Sequence, residues 1–169
     1  MTDDLIALLK YLKAGGLQLQ LDTNVKNSLI LERLLDEGIG DRVILDVKGP
    51  LSLYNKILGE DIDPADIEKT ISLLPRFPEY EIRTTIAPVV RGEGEQPEIS
   101  YLTADEIGET AKLISEAGGS DHPYLLRLFD PETCPDEQMK QIEKLPSSAT
   151  FRYRTAAREY LPKTEIAKE

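Results

Sequence analysis

The stretch "LQLQLDTNVKN" at Leu17–Asn27 decides the fold class, because it joins the pattern of a strand to the start of a helix. Leucine and glutamine alternate over Leu17–Leu21, and this alternation predicts a β-strand. Asp22, Thr23 and Asn24 follow directly. An acid, a hydroxyl and an amide therefore stand together where a strand ends, and parallel-sheet proteins bind their ligands at such ends.

The same strand–helix unit recurs along the chain. Further strands are predicted at Arg42–Lys48, Tyr80–Pro88 and Tyr124–Phe129, with a last edge strand at Thr150–Thr155. Helical patterns separate the strands, and a leading helix has on one face Leu5, Leu8, Leu9 and Leu12. This regular alternation favours an α/β fold with a parallel sheet.

The length of the chain limits how much of a barrel it forms. A complete eight-unit barrel needs about 250 residues, and this chain has 169. We therefore predict a single domain, residues 1–169, that folds as a partial TIM-like barrel. It would have about four βα units, a leading N-terminal helix and a C-terminal edge strand, and its first strand would lie on an open edge.

The remaining segments have weaker patterns. Val90–Ser100 has the glycine, proline and polar residues of a loop, and a further helix is predicted to start near Asp130. The inward side chains of that helix would be Met139, Ile142 and Leu145. The charged stretch 161–169 is predicted to be a frayed tail.

Composition argues against several classes of function. The net charge of −11, from 31 acidic and 20 basic residues, disfavours nucleic acid and anionic membranes as partners. Cys134 is the single cysteine, so no internal disulfide and no cysteine-based metal site are expected. His122 is also single and is predicted to be a loop residue. The sequence has no apolar run of transmembrane length and no signal peptide, so we expect a cytoplasmic protein.

Polar residues at the ends of the predicted strands form a candidate ligand site. The candidates are Asp22, Thr23, Asn24, Asp46, Lys48, Arg83 and Arg127. If the first two strands are neighbours, Asp22 and Asp46 approach across about 5 Å, and with a nearby hydroxyl they would hold a hard cation. Arg83 and Arg127 would clamp a carboxylate or a phosphate. The set suits a zwitterionic ligand that carries a carboxylate.

Structural roles also explain each candidate taken alone. An aspartate at a strand end often caps a helix or forms a turn, and Lys48 precedes Gly49-Pro50 and suits a solvated loop. Arg83 or Arg127 would then pair only with structural acids. The coincidence of candidates at several strand ends favours the ligand site.

Motifs in a fixed order carry a resemblance to a known family. "LQLDTN" is followed by "VILDVKGP", "YNKILG" and "YEIRTTIAP", and "TFRYRTAARE" lies near the C-terminal end at residues 150–159. This order resembles the radical SAM activating enzymes of glycyl-radical enzymes, namely pyruvate formate-lyase activase and the anaerobic ribonucleotide reductase activating proteins. The resemblance implies a partial barrel that binds S-adenosylmethionine and a [4Fe–4S] cluster at its strand ends.

The resemblance also implies roles for the candidate residues. Asp22 and Thr23 match the Asp-Thr pair of the family, and Asp46 and Lys48 match the acid and the lysine of its Leu-Asp-Leu-Lys-like motif. In such enzymes these acids and the threonine hold a monovalent cation beside the S-adenosylmethionine carboxylate, so a metal site at Asp22, Thr23 and Asp46 is implied. Arg83 matches an arginine near S-adenosylmethionine. Asn24 and Arg127 complete the cofactor set.

The sequence departs from the family in its cluster-binding part. The Cys-x3-Cys-x2-Cys and Gly-Gly-Glu-Pro motifs are absent, and Val25 replaces a glycine of the family. Since three thiolates are needed to leave one iron open, we expect no [4Fe–4S] cluster and no catalytic residue in this chain alone. The chain is either a fragment or a free-standing C-terminal half. A cluster-bearing N-terminal portion, in cis or as a separate subunit, and a glycyl-radical enzyme are the implied partners.

Two other functions are consistent with the same residues. The chain is in one case a non-enzymatic, degenerate barrel that binds a partner protein through its exposed edge. In the other case it binds a small carboxylate or phosphate ligand through Lys48, Arg83 and Arg127.

Overall fold

The computed structural model describes residues 2–26, 28–59, 61–92 and 98–167. The helices are α1 (Thr2–Ala14), α2 (Ser28–Asp36), α3 (Leu51–Leu58), α4 (Pro64–Leu73), α5 (Ala104–Gly118) and α6 (Thr150–Arg158). The strands are β1 (Gln20–Asn24), β2 (Arg42–Asp46), β3 (Glu79–Ile86), β4 (Pro88–Arg91), β5 (Glu98–Tyr101), β6 (Tyr124–Leu128) and β7 (Thr164–Ile166).

The main sheet has five strands in the order β1-β2-β3-β6-β7, and all neighbouring strands are parallel. The predicted α/β class with a partial parallel barrel is confirmed. As predicted, β1 is an edge strand; β7 is the other edge. None of the helices in the described ranges is long and apolar enough to cross a membrane.

The sheet has one face that belongs to the core. Side chains such as Val43, Leu45 and Ile82 are fully buried and join one apolar cluster with residues of the helices, such as Leu34 and Ile71. Because successive side chains of a strand point to opposite faces, the residues that alternate with these lie on the other face. That second face carries the candidate ligand residues of β2 and β3.

The first predicted strand is displaced along the chain. β1 spans Gln20–Asn24 instead of Leu17–Leu21. The reason is its partner: the Leu19 carbonyl accepts hydrogen bonds from the amides of Asp41 and Arg42, at 3.0 and 3.1 Å, so regular pairing with β2 starts only at Gln20. Leu17 remains 54% exposed.

The predicted inner face of the leading helix is partly wrong. Ile6 is buried in α1, whereas Leu5 and Leu8 are exposed, and Leu9 and Leu12 pack against the core only in part.

The C-terminal predictions need three corrections. Thr150–Thr155 is not an edge strand but part of helix α6, because the buried residues Thr150, Tyr153 and Ala157 are spaced by three and four. The edge strand is instead β7, which lies within the stretch predicted to be a frayed tail and pairs with β6. The helix expected near Asp130 is replaced by 3₁₀ turns at Pro131–Thr133, Met139–Gln141 and Ser147–Ala149.

The segment predicted to be the Val90–Ser100 loop belongs to a β-hairpin. β4 and β5 pair in antiparallel fashion, and residues 93–97 between them lie outside the described part of the chain. Arg91 joins the hairpin to α5 through an ion pair with Glu106, at 2.6 Å. Glu106 also belongs to the capping box with Thr103 that starts α5.

Candidate functional site

A cavity of about 390 Å³ opens at the carboxyl edge of the parallel sheet. Its lining residues are Asp22, Thr23, Asn24, Ile44, Asp46, Lys48, Arg83, Thr85 and Arg127. The structure thus brings every candidate ligand residue named from the sequence to one cavity. Ile44 and Thr85 were not among those candidates. Both alternate with residues of the helix-packed core, so the face of the strand was the available signal.

The register of the parallel strands arranges the lining in rows. Asn24, Asp46 and Arg83 are Cα partners across β1, β2 and β3. Two residues after Arg83 in β3, Thr85 is the Cα partner of Arg127 in β6. In-register parallel strands place such partners side by side on one face. The acid of the site therefore has an amide on one side and a guanidinium on the other.

Asp46 is the central acid of the cavity. Its Oδ2 accepts a hydrogen bond from Lys48 Nζ. Its Oδ1 is buried and has no hydrogen-bond partner among the described residues. A buried acceptor without a partner is costly, so this oxygen is the atom of the site best placed to take a donor or a cation from a ligand.

The sequence predicted that Asp22 and Asp46 lie opposite each other on neighbouring strands, but the register of the strands places them two residues apart. Asp22 is the partner of Ile44, and Asn24 is the partner of Asp46. The offset of two residues separates Asp22 from Asp46 by about 6.6 Å along the strand direction, and Asp22 instead accepts a hydrogen bond from Gln20 Nε2 at 2.9 Å. The expected direct approach across one strand spacing is therefore wrong.

The described residues offer few oxygen ligands for a cation at this site. Within the described ranges, no group of three or more His, Cys, Asp or Glu residues is arranged to hold a metal ion. Thr23 Oγ1 donates to the Asn24 carbonyl at 3.3 Å. Asp46 Oδ1 is the oxygen on which a monovalent cation would depend, and a cation site at Asp22, Thr23 and Asp46 stays a prediction.

The cations of the site differ in how they are held. Arg83 donates through Nε to Glu81, and its side chain is 22% exposed. Arg127 is exposed and borders a second cavity, of about 350 Å³, which also has Lys144, Ser147 and Thr150 in its lining. The site therefore presents one tethered and one solvent-exposed guanidinium.

Buried hydroxyl groups support the end of β2 beneath the cavity. Tyr124 donates to Thr84 Oγ1 at 2.8 Å, and Thr84 donates to the Val47 carbonyl at 2.6 Å. The Lys48 amide donates to the hydroxyl of Tyr54 at 3.0 Å. Burial, followed by the negative charge of Asp46, raises the pKa of the Tyr54 hydroxyl, so it stays neutral. Sequence reasoning missed this layer, because tyrosine in a helix or strand reads as ordinary core.

Residues singled out elsewhere lie away from the cavity lining. Val25, at the position of the family glycine, is fully buried, and its carbonyl accepts a hydrogen bond from Thr70 Oγ1 at 2.8 Å. His122 lies in the segment before β6, as predicted, but is buried there. Cys134 is a free, partly exposed cysteine.

Two comparisons with known proteins found similar proteins, and no family model matches the chain. The chain is 27% identical, over 146 residues, to a protein of Methanocaldococcus jannaschii assigned as a glycyl-radical enzyme activating enzyme. The chain is similar to an activating enzyme of glycyl-radical enzymes. The match covers 83% of this chain but 54% of the relative, so the chain spans about half the length of that relative.

A solved structure supports the fold. A crystal structure of a domain of pyruvate-formate lyase-activating enzyme from Bacteroides vulgatus matches with a TM-score of 0.61 and 16% identity. The match covers 99% of this chain and 91% of that domain. The arrangement of strands and helices is that of such a domain. The resemblance to activating enzymes of glycyl-radical enzymes, first stated on sequence motifs, is supported by the sequence similarity to the Methanocaldococcus jannaschii protein.

Proposed function

We propose that this chain is the S-adenosylmethionine-binding part of a radical SAM activating-enzyme-like protein. One observation carries the proposal: the residues that match the family motifs surround a single cavity whose central acid, Asp46, has a buried oxygen that no other described residue hydrogen-bonds. An ammonium group or a monovalent cation suits that oxygen, and the guanidinium of Arg83 suits a carboxylate. The amino-acid end of S-adenosylmethionine carries both an ammonium group and a carboxylate.

The residues of this chain do not fit an iron–sulfur cluster. The sequence has a single cysteine, whereas a cluster that binds S-adenosylmethionine needs three thiolates. In our proposal the cluster, and with it the radical chemistry that would act on a glycyl-radical enzyme, belongs to another portion, in cis or in trans. This chain would bind and orient the amino-acid end of the cofactor.

The open edge of the sheet supports the need for a further portion. β1 is an edge strand, and in α1 and the segment between α1 and β1 the apolar side chains of Leu8, Tyr11 and Leu17 are 53, 75 and 54% exposed. Unpaired strand edges and exposed apolar side chains are both features that proteins usually cover. In our proposal a further parallel strand would extend the sheet past β1.

The same surfaces support the two other functions. The β1 edge would also serve a degenerate barrel that only binds a partner protein. Arg127 and the second cavity beside it, with Lys144 in the lining, would also suit a small phosphate or carboxylate ligand.

Calorimetric titration of S-adenosylmethionine into the wild type and into Asp46→Asn tests the proposal. We expect the variant to bind at least about tenfold more weakly, because a charge-assisted interaction is removed. Glu79→Gln, on the same sheet but at its amino edge, is the matched control and should bind like the wild type. Equal heats in Asp46→Asn and the wild type would contradict the proposed site. If the wild type bound inorganic phosphate but not S-adenosylmethionine, the result would favour the small-anion function.

A further inference from the structure

A charged cluster lies behind the cavity, on the same face of the sheet. Glu81 is two residues before Arg83 in β3, so both side chains leave the strand on one face. Arg83 lines the cavity and Glu81 does not. The two side chains are each 22% exposed, and the Nε group of Arg83 donates to Glu81 Oε1. Glu81 therefore holds the guanidinium from its inner side.

The mode of contact determines what Arg83 presents to a ligand. A guanidinium has one Nε–H and two terminal NH₂ groups, and an anion is gripped best by two parallel N–H groups. Glu81 occupies the Nε position. The terminal nitrogens make no hydrogen bond among the described residues and remain available at the cavity.

A second arginine balances the charge of Glu81. Arg42, in β2, donates from NH2 to Glu81 Oε2 at 3.5 Å. Glu81 is thus shared between two cations, and the cluster Arg42–Glu81–Arg83 keeps a net charge of +1. An acid that paired with Arg83 alone would neutralise the positive charge of Arg83. Because Glu81 is shared with Arg42, it holds the Arg83 guanidinium while the cluster still attracts an anion.

We infer that Glu81 is a positioning residue that orients Arg83 for a ligand carboxylate, and that Arg42 balances the charge of Glu81. This inference rests on the proposed function, since it takes the carboxylate of S-adenosylmethionine as the ligand of Arg83. It adds residues that do not touch the cavity and that no strand-end pattern indicates. Glu81 acts by restricting the arginine before the ligand arrives, which lowers the entropy lost on binding.

Nuclear magnetic resonance of the arginine Nε–H groups tests the positioning directly. The Arg83 signal, identified by its loss in Arg83→Lys, should show an ordered side chain in the wild type. We expect this order to be lost in Glu81→Gln and kept in the control Glu79→Gln. In Arg42→Gln the signal should stay ordered, because the contact between Arg83 and Glu81 is intact. An equally ordered Arg83 signal in Glu81→Gln would overturn the inference.

Titration of S-adenosylmethionine into the same variants tests the consequence. At high salt, which screens the charge that the substitution adds, Glu81→Gln should bind about fivefold more weakly, the factor expected when the ligand itself must order one flexible side chain. In an Arg83→Ala background, Glu81→Gln should have no further effect, and an undiminished effect there would contradict the inference. If the wild type binds no S-adenosylmethionine but the order of Arg83 still depends on Glu81, the proposed function fails and the positioning is upheld.

Discussion

The two edges of the parallel sheet use their aspartates in opposite ways. At the carboxyl edge, Asp46 keeps a buried oxygen that has no hydrogen-bond partner in the part of the chain that the structure describes, and Arg127 is exposed beside the cavity. At the amino edge, Asp41 accepts hydrogen bonds from Lys13 and from the Leu19 amide, the latter at 2.8 Å. A charged residue at a strand end thus indicates a ligand site only where its polar atoms are not already used by the fold.

The histidine of the amino edge is enclosed by the fold, although its Nε2, like Asp46 Oδ1, has no hydrogen-bond partner among the described residues. His122 is 1% exposed, and its Nδ1 lies 3.1 Å from the Tyr80 hydroxyl. Burial lowers the pKa of His122, so the ring is neutral at pH 7. Asp121 beside it forms an ion pair with Lys163 at 3.2 Å. We therefore propose that this edge serves stability and the carboxyl edge serves ligand binding, and the predictions below test that division.

The largest expected effect is at Gly118, the last residue of α5. A Cβ atom there would lie 2.4 Å from Nε2 of His122, which is too close for any real contact. We expect Gly118→Ala to lower the free energy of unfolding by about 1–3 kcal/mol, the usual cost of overpacking. Urea denaturation at pH 7 measures the change.

Gly108, in the same helix, is the matched control. A Cβ atom there would meet Ala156 at an ordinary distance of 3.7 Å. Since alanine favours a helix over glycine by about 1 kcal/mol, Gly108→Ala should leave stability unchanged or raise it. If both alanine variants were stabilised, His122 would not be held tightly against α5, and the amino edge would be looser than described.

The pH dependence of stability should reveal the same histidine. The unfolded chain binds a proton at His122 near pH 6.5, whereas the native state does so only at a lower pH because the pKa is lowered. The unfolded state therefore holds more protons below pH 6.5, and stability should fall there by up to about 1.4 kcal/mol per pH unit. The measurement is urea denaturation between about pH 7.5 and 5.5.

Other lowered pKa values act in a different pH range. The hydrogen bond from Lys13 lowers the pKa of Asp41, and that from Arg91 lowers the pKa of Glu106. Their contributions are present above the ordinary values of 3.8 and 4.5 and are lost only as the pH falls below these values. His122→Gln should therefore flatten the dependence between about pH 7.5 and 5.5. A slope that persisted in this variant would assign it to another group.

The carboxyl edge was largely predictable from the sequence. A strand, a polar residue and a helix follow one another at each unit, and parallel pairing brings these ends to one edge whatever the details of the connections. The register was not predictable. The offset that separates Asp22 from Asp46 arises because pairing starts at Gln20 with Arg42, which depends on the contacts of Asp41 with α1 and Leu19.

Other elements were mispredicted for local physical reasons. The six residues "TFRYRT" alternate like a strand. The helical spacing is visible only when Ala157 is added, because Thr150, Tyr153 and Ala157 form the buried face of the helix. β7 has three residues and depends on its pairing with β6, so it has almost no local signal. Glu81 reads as a surface acid on a strand, and only the fold places it between Arg42 and Arg83.

The smallest expected effect on stability is at Arg127, at the mouth of both cavities. Its side chain is exposed, so Arg127→Ala should change the free energy of unfolding by less than about 0.5 kcal/mol. Arg91→Ala is the matched arginine variant: Arg91 bonds Ser100, Glu106 and the Tyr101 carbonyl, and its loss should be clearly more destabilising in the same urea titration. A loss of stability in Arg127→Ala as large as that in Arg91→Ala would mean that the fold uses the carboxyl-edge arginine as well. The division between a structural edge and a ligand-binding edge would then not hold at β6.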